Sequence, residues 1–521
     1  MLKALSLYFL LLLSSSLTAQ TNSTQTDVSQ LDINTRLCHG QDIYELTIRK
    51  AHNLYQTNKL SPSQLVECYL QRISILNPYL NAIIETNPSA IQEAKDIKSF
   101  DLNKFPLLGI PILIKDNIAV NGMNTTAGSN VLLATRPKDE AKLVKKLRQA
   151  GAIILAKANL SEFAGFRDFT DVSGWSGRGG QTRNAYVLSA TASGSSSGPA
   201  VGIASNLAII SIGTETDGSL ICPASLAATF GFKPTVGRVS TKGIIPLSPT
   251  QDSPGPITRN MEDLITVSSV MFEKDNEQIS KLIDNGTSDT KEGEFTIGIL
   301  RNPYFDSEAI RDQITTLNTT INKLKGDKQL KIVDNLTIDA SKIDPIKEFT
   351  MISYEFKHYI NEYLSNSVTG ESLNLSKIIE YNNKNNSTEL NLYKQGLLLQ
   401  AETTSNLNDP NYIQAKQENV KAAKDAIDTI LLENKLDVLL VPSDFNLGAF
   451  SPAAVAGYPI ITIPLDVNKE KIPFGMSLYT TAEKDVTLLR VAKLLSSILD
   501  VKRATPKFIS CCTSIDLAKK N

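Results

Sequence analysis

Between residues 110 and 156 the chain reads as an apolar run, an amphipathic helix and a second apolar run. Ile110 to Ile114 is the first run, Leu143, Val144, Leu147 and Ala150 mark one helix face that Gly151 ends, and Ala152 to Ala156 is the second. Runs this short that alternate with no polar face are strands covered on both sides. Their strand, helix, strand order belongs to a parallel or mixed sheet. Leu207 to Ile212, Phe295 to Leu300, Leu330 to Val333, Leu436 to Val441 and Ile460 to Pro464 repeat the signal. The expected fold is therefore α/β, a large mixed, twisted sheet flanked by helices in a single domain.

Helical segments surround these strands. From Ser61 through Ile84, Leu65, Val66, Tyr69, Leu70, Ile73 and Leu76 recur at the spacing of one buried helix face, and Pro78 is expected to stop it. Residues 300 to 435 turn rich in Lys, Asn and Glu, with a polar loop expected around Asn382 to Ser387. They read as helices packed beside the core. No repeat or sharp linker divides the chain.

The first residues form an address label. Lys3 gives a positive start, Ala4 to Leu13 is apolar apart from Ser6, and Ser14 to Ala19 is small and polar before a cut after Ala19. The apolar run is shorter than the ~20 residues that span a bilayer. Residues 1–19 are thus expected to be a signal peptide, 20–40 a polar leader, 41–505 the main domain and 506–521 a C-terminal tail. The mature protein is expected to be exported, periplasmic or secreted, with no stable membrane anchor.

Composition removes several function classes. A formal charge of −1 in 521 residues excludes a nucleic-acid binder that works by gross charge. Three histidines, His39, His52 and His358, stand far from any partner at metal-ligand spacing, so no metal and no cofactor is expected. Five cysteines, at 38, 68, 222, 511 and 512, allow at most two bridges. Cys38 with Cys511 or Cys512 would tie the chain ends together, and buried thiols are the alternative.

The chemistry concentrates between Lys115 and Arg259. Ser193 to Ala200 reads SGSSSGPA and Gly213 to Ser225 reads GTETDGSLICPAS. Small side chains there let backbone N–H groups point inward and bind an anion, either a phosphate or the oxyanion of acyl transfer. Neither loop ends in the Lys-Ser/Thr of a phosphate-binding P-loop. A serine nucleophile needs a base, and without a suitable histidine the candidates are lysines and carboxylates. Lys115 follows an apolar strand directly. Either it snorkels to water at the strand end, or it is desolvated and able to accept a serine proton.

Taken jointly, Lys115 with Asp116, the serine-rich loop, and GTETDGS with Ser219 24 residues after Ser195 resemble the amidase signature family of serine hydrolases. The resemblance spans about residues 43 to 500. It continues through Ala156 to Ala164 (AKANLSEFA), Phe230 to Arg259 and Ala456 to Pro464 (AGYPIITIP). Gly174 to Asn184 (GWSGRGGQTRN) and the TETDGS form look most like the peptide amidases, which remove C-terminal amide groups from peptides.

The resemblance implies roles residue by residue. Ser219 matches the nucleophile, Ser195 the serine after a cis peptide bond, and Lys115 the terminal base of a Ser/cis-Ser/Lys triad. Backbone N–H groups of Thr216, Asp217, Gly218 and Ser219 match the oxyanion hole. Trp175, Arg178 and Gln181 are expected to line a cleft for an extended peptide. The expected partner is a small-molecule or peptide amide, with no obligatory protein partner. Two positions depart from the commoner family loop: Glu215 stands where Asp is usual, and Asp217 where Gly is usual. Ile221 replaces an Arg two residues after the nucleophile. Cys222 reads as a packing thiol rather than a second nucleophile. The alternatives are a general small-amide amidase, an amidotransferase-type subunit, which would work in the cytoplasm with a partner, and a non-enzymatic binding protein, which would have lost a triad residue.

Overall fold

A computed structural model of the chain describes residues 27–97, 101–284, 293–444 and 447–509. The expected signal peptide, the start of the leader, the end of the tail, Cys511 and Cys512 lie outside the described residues. Among these residues eleven strands form one mixed sheet. In chain order they are β1 Ile83–Thr86, β2 Pro111–Lys115, β3 Ile153–Ala158, β4 Ile210–Glu215, β5 Phe230–Lys233, β6 Ser253–Thr258, β7 Phe295–Asn302, β8 Leu330–Thr337, β9 Val438–Pro442, β10 Ile460–Val467 and β11 Pro473–Tyr479. Across the sheet the order is β8, β7, β9, β11, β10, β5, β6, β4, β2, β3, β1. β2 pairs in parallel with β3 and β4, and β7 does so with β8 and β9, while the remaining ladders are antiparallel.

The α/β expectation holds, and the seven expected strands are present with shifted ends. β1, β5, β6 and β11 carry weaker signals. β6 contains Pro254, Gly255 and Pro256, residues that ordinarily argue against a strand. Gly255 is required by the sheet itself, because a Cβ there would stand 1.8 Å from the Phe232 carbonyl oxygen. β2, β3, β4 and β6 are buried along their whole lengths, which is why the first three read as mainly apolar runs.

The helices that bear on the site are α1 Val28–Asn34, α2 Pro62–Leu80, α3 Lys142–Gln149, α4 Ser197–Ala204, α5 Ile221–Leu226, α6 Pro345–Asn366 and α7 Pro410–Glu433. A capping box starts α2: the Ser61 hydroxyl accepts from Gln64 N at 3.2 Å, and Ser61 N donates to the Gln64 side chain at 2.8 Å. Contrary to expectation, α2 runs through Pro78 to Leu80. Proline removes only its own N–H, and one turn later Asn81 N still closes the helix on Asn77 O at 2.8 Å. α1 falls in the polar leader and is tied to α2 by the buried Asp32–Arg72 pair at 2.7 Å.

One further expectation is corrected, and one pairing left open by the sequence is settled. The stretch around Asn382 to Ser387 is helical, over Leu375–Lys384 and Asn386–Glu389, because buried Asn382 donates to Gln395 Oε1 at 2.9 Å and so has an interior partner. Cys38 bonds Cys68 rather than a C-terminal cysteine. A short hairpin, Leu37–Cys38 with Gln41–Asp42, lies on α2 and brings the two Cα atoms to 5.8 Å.

The helices of the 300–435 stretch do sit beside the core. α6 covers a second apolar cluster in which Phe356 packs on Phe166 at 4.8 Å, together with Phe163, Ile245 and Leu247. This cluster brings α6 over the loops that leave β3 and precede β6, close to the ends of the strands that carry Lys115 and Glu215.

Candidate active site

Lys115 is the last residue of β2, and parallel pairing sets Ile112, Leu113 and Ile114 against Ile210, Ser211 and Ile212 of β4. That register carries the lysine side chain to the top of β4. Its Nζ lies 2.7 Å from Ser195 Oγ, 2.9 Å from Thr214 Oγ1 and 3.1 Å from Thr214 O. Every one of these partners is uncharged. Asp116, next in sequence, points elsewhere: its Oδ1 is 3.1 Å from Lys157 Nζ, and its Oδ2 accepts from Thr126 and Gly128. Lys115 is fully buried, and burial lowers it from the usual lysine range to about 7, against the opposing pull of Asp252 and Glu215.

The peptide bond between Gly194 and Ser195 is cis. Neighbouring Ser196 fixes this loop to the next one. Its N–H donates to Ser219 O at 3.0 Å, and its hydroxyl donates to Thr214 O at 3.0 Å while accepting from Thr214 N at 3.2 Å. Gly213 makes room for this, since a Cβ there would lie 2.6 Å from Ser196 Oγ. Two loops far apart in sequence are thereby laced together.

Ser219 stands on the turn between β4 and α5, where Gly218 takes a left-handed φ of 76°. Glu215 closes the turn: its Oε2 accepts from Leu220 N at 2.7 Å and Ile221 N at 2.9 Å. Thr216 donates to Asp252 Oδ1 at 2.6 Å. Cys222 is a free, buried thiol, and burial, with Glu215 and Asp217 nearby, pushes it well above the ordinary thiol range. It therefore stays protonated and serves packing. Ile221, in place of the family arginine, is the fully buried first residue of α5.

A cavity opens beside this cluster, lined by the polar Asn117, Thr214, Thr216 and Asp252 and by Ile244, Ile245, Leu247 and three prolines. Lys115, Ser195 and the Thr216–Ser219 turn are thus brought together. Like Lys115, Ser195 and Ser219, the residues Trp175, Arg178 and Gln181 are not among those lining this cavity, and their partners lie elsewhere. The latter three sit on a small hairpin, Trp175–Ser176 with Gly180–Gln181. The buried Trp175 ring meets Tyr393 edge-on at 4.9 Å, Arg178 pairs with Glu85, and the Gln181 side chain donates to the carbonyls of Ser173 and Thr182. The hairpin supports the Ser195 loop from outside: Gly174 N donates to Ser161 Oγ at 2.7 Å, and Ser161 N donates to Ser195 O at 3.1 Å.

Sequence reasoning left Thr214, Asn117 and Asp252 without a role. Thr214 lies inside the GTETDGS stretch, and Asn117 donates to its hydroxyl at 3.0 Å. Their positions, one residue before Glu215 and two after Lys115, were the available signal. Asp252 is distant in sequence, and its signal was its place inside the Phe230 to Arg259 stretch of the family resemblance.

A mixed sheet whose strand ends bring a buried lysine to two small-residue serine loops is the framework of an amide hydrolase. The family profile described as Amidase matches residues 64–489, and the chain belongs to that family. It is 35% identical over 492 residues to a "probable amidase" of Arabidopsis thaliana, covering 91% of this chain and 94% of that protein. It is 28% identical to the mandelamide hydrolase of Pseudomonas putida (88% and 92% covered) and 30% identical to a glutamyl-tRNA(Gln) amidotransferase subunit of Lawsonia intracellularis (87% and 97% covered). The crystal structure of the native peptide amidase of Stenotrophomonas maltophilia superposes with a TM-score of 0.81 at 34% identity, covering 89% of this chain and 98% of that one. Among the described residues no helix is long and apolar enough to cross a membrane.

Proposed function

We propose that the protein hydrolyses C-terminal amides of peptides to the free acid and ammonia, using Ser219 as nucleophile, Ser195 as proton relay and Lys115 as base. The observation that carries this reading is Lys115 itself, fully buried, lowered to about 7 and 2.7 Å from Ser195 Oγ. Neutral Lys115 takes the Ser195 proton, Ser195 takes that of Ser219, and Ser219 Oγ attacks the amide carbonyl. N–H groups of the Thr216–Ser219 turn receive the oxyanion. The tetrahedral intermediate collapses as the C–N bond breaks and the relay, run backwards, protonates the leaving nitrogen to ammonia. Water then enters by the same relay, cleaves the acyl ester and restores Ser219.

The likeness to the Stenotrophomonas peptide amidase supports the peptide preference. Export is part of the proposal and is supported by the residue 1–19 pattern and by the Cys38–Cys68 bridge, a bond that persists in oxidising compartments. That bridge also weighs against a cytoplasmic amidotransferase component.

Ammonia release from acetamide and from blocked di- and tripeptide amides, for the parent and Ser219→Ala, tests the reading. Ser219→Ala removes the attacking oxygen with little change of volume and is expected to be inactive while folded. Turnover near the parent's would overturn the mechanism, and equal kcat/KM on all substrates would leave a general amidase.

A further inference from the structure

The loop between residues 246 and 252 is held from two directions. From α6, Glu355 is fully buried and accepts from Ser248 Oγ at 2.7 Å and from Thr250 N at 3.1 Å, and Tyr412 and Lys416 of α7 reach the same carboxylate at 2.7 and 3.0 Å. Glu348, two turns earlier on α6, accepts from Gln251 Nε2 at 2.8 Å, and Gln251 is fully buried. Within the loop, Asp252 Oδ2 accepts from Leu247 N at 2.9 Å and Ser248 N at 3.0 Å. Its other oxygen receives the Thr216 hydroxyl at 2.6 Å. All three partners are donors, the set that a charged carboxylate wants.

Thr216 begins the turn that carries Ser219. The chain of contacts therefore runs from α6 and α7 through the loop and Asp252 into that turn. We propose that Asp252 is a positioning residue for amide hydrolysis, holding the Ser219 turn through Thr216 and setting the electrostatic field at Lys115. The proposal rests on Lys115 acting as the base.

The field has identifiable sources. Burial lowers Lys115, and the carboxylates that oppose it are Asp252 from the loop and Glu215 from β4. Burial also raises Asp252 itself, against the pull of Thr216 and the two N–H groups, with Glu355 a like charge on its α6 side. Lys233 of β5, fully buried, feels Asp252 as well. Taking away the Asp252 charge removes one of the two anions that favour protonated Lys115, so the neutral base should persist to lower pH.

The test is the pH dependence of kcat and kcat/KM between pH 5 and 9, measured by ammonia release from a blocked dipeptide amide, with circular dichroism as the fold control. Asp252→Asn is expected to move the acid limb to lower pH and to lower the plateau kcat at least about tenfold, with KM within about twofold of the parent. Thr216→Val should lower kcat similarly with the limb unmoved, and the double variant should be no worse than Asp252→Asn alone, because both act through one contact. A limb that stays at the parent's position in folded Asp252→Asn overturns the proposal, since a purely structural acceptor would leave it there. Should Asp252→Asn not fold, Thr216→Val decides: a parent-like kcat overturns the proposal, and a tenfold fall with unchanged KM supports it. Lys115→Ala, measured in parallel, separates this outcome from a failure of the base assignment.

Discussion

Lys115 Nζ and Ser195 Oγ lie 2.7 Å apart although 80 residues separate them, and the lysine has only uncharged hydrogen-bond partners. Burial lowers both lysines, but Lys157 keeps the Asp116 carboxylate at 3.1 Å, which opposes the shift directly, whereas Lys115 has no carboxylate in contact. Two lysines at neighbouring strand ends are thus given different duties by their partners.

That difference sets a pH profile. On the proposed mechanism Lys115 must be neutral, so the rate of the parent should rise through about pH 7 and level off above it. Lys115→Ala should lower kcat by about 10³-fold and abolish that limb. Stopped assays across the pH range check both, and a surviving limb would identify another base.

Glu215 tests the Ser219 turn. Replacing it with Ala leaves the N–H groups of Leu220 and Ile221 without an acceptor, each a buried donor worth about 1–3 kcal/mol when unmet. Glu215→Ala should lose about 2 kcal/mol or more in urea denaturation and lower kcat more than it changes KM. Parent-like stability would mean that the turn holds itself.

Trp175 separates support from recognition. The ring is buried against Tyr393, so Trp175→Ala should lose about 3 kcal/mol or more and loosen the hairpin behind the Ser195 loop. The expected kinetic result is a fall in kcat/KM by the same factor for acetamide and for peptide amides. A fall confined to peptide amides would instead put the ring in contact with the peptide.

Glu45 governs acid stability. Burial alone would raise its carboxyl, but the Arg503 guanidinium, with Nε at 2.7 Å, overrides burial and holds it at about 2. A depressed carboxylate stabilises the fold fully above its unfolded value near 4.5, and this contribution disappears as pH falls toward 2. Glu45→Gln should lower stability by about 2 kcal/mol at pH 7 and flatten the dependence between pH 4.5 and 2, read from thermal melts at each pH.

Much of this molecule was legible without coordinates because the relevant signals are local. Strands buried on both faces are largely apolar, so β2 and β3 declared themselves, and a lysine at the end of the first run stood out. The small residues around Ser195 and Ser219 were equally visible, because close loop approach excludes side chains. Pro254 and Pro256 hid β6, since proline normally removes a strand from consideration, and only the sheet's geometry reveals that a glycine between them lets the Phe232 carbonyl approach.

What tertiary structure alone decided are the pairings between distant segments. Cys38 met Cys68 because a hairpin folds onto α2, which spacing cannot convey. Trp175, Arg178 and Gln181 took partners of their own in Tyr393, Glu85 and backbone carbonyls. Asp252, given no role by the sequence, became the acceptor for Thr216 because α6 holds its loop beside the Ser219 turn. Residue type sets what a side chain can do, and sequence spacing sets its local geometry. The partner that lowers or raises a buried charge is chosen only when the chain closes on itself.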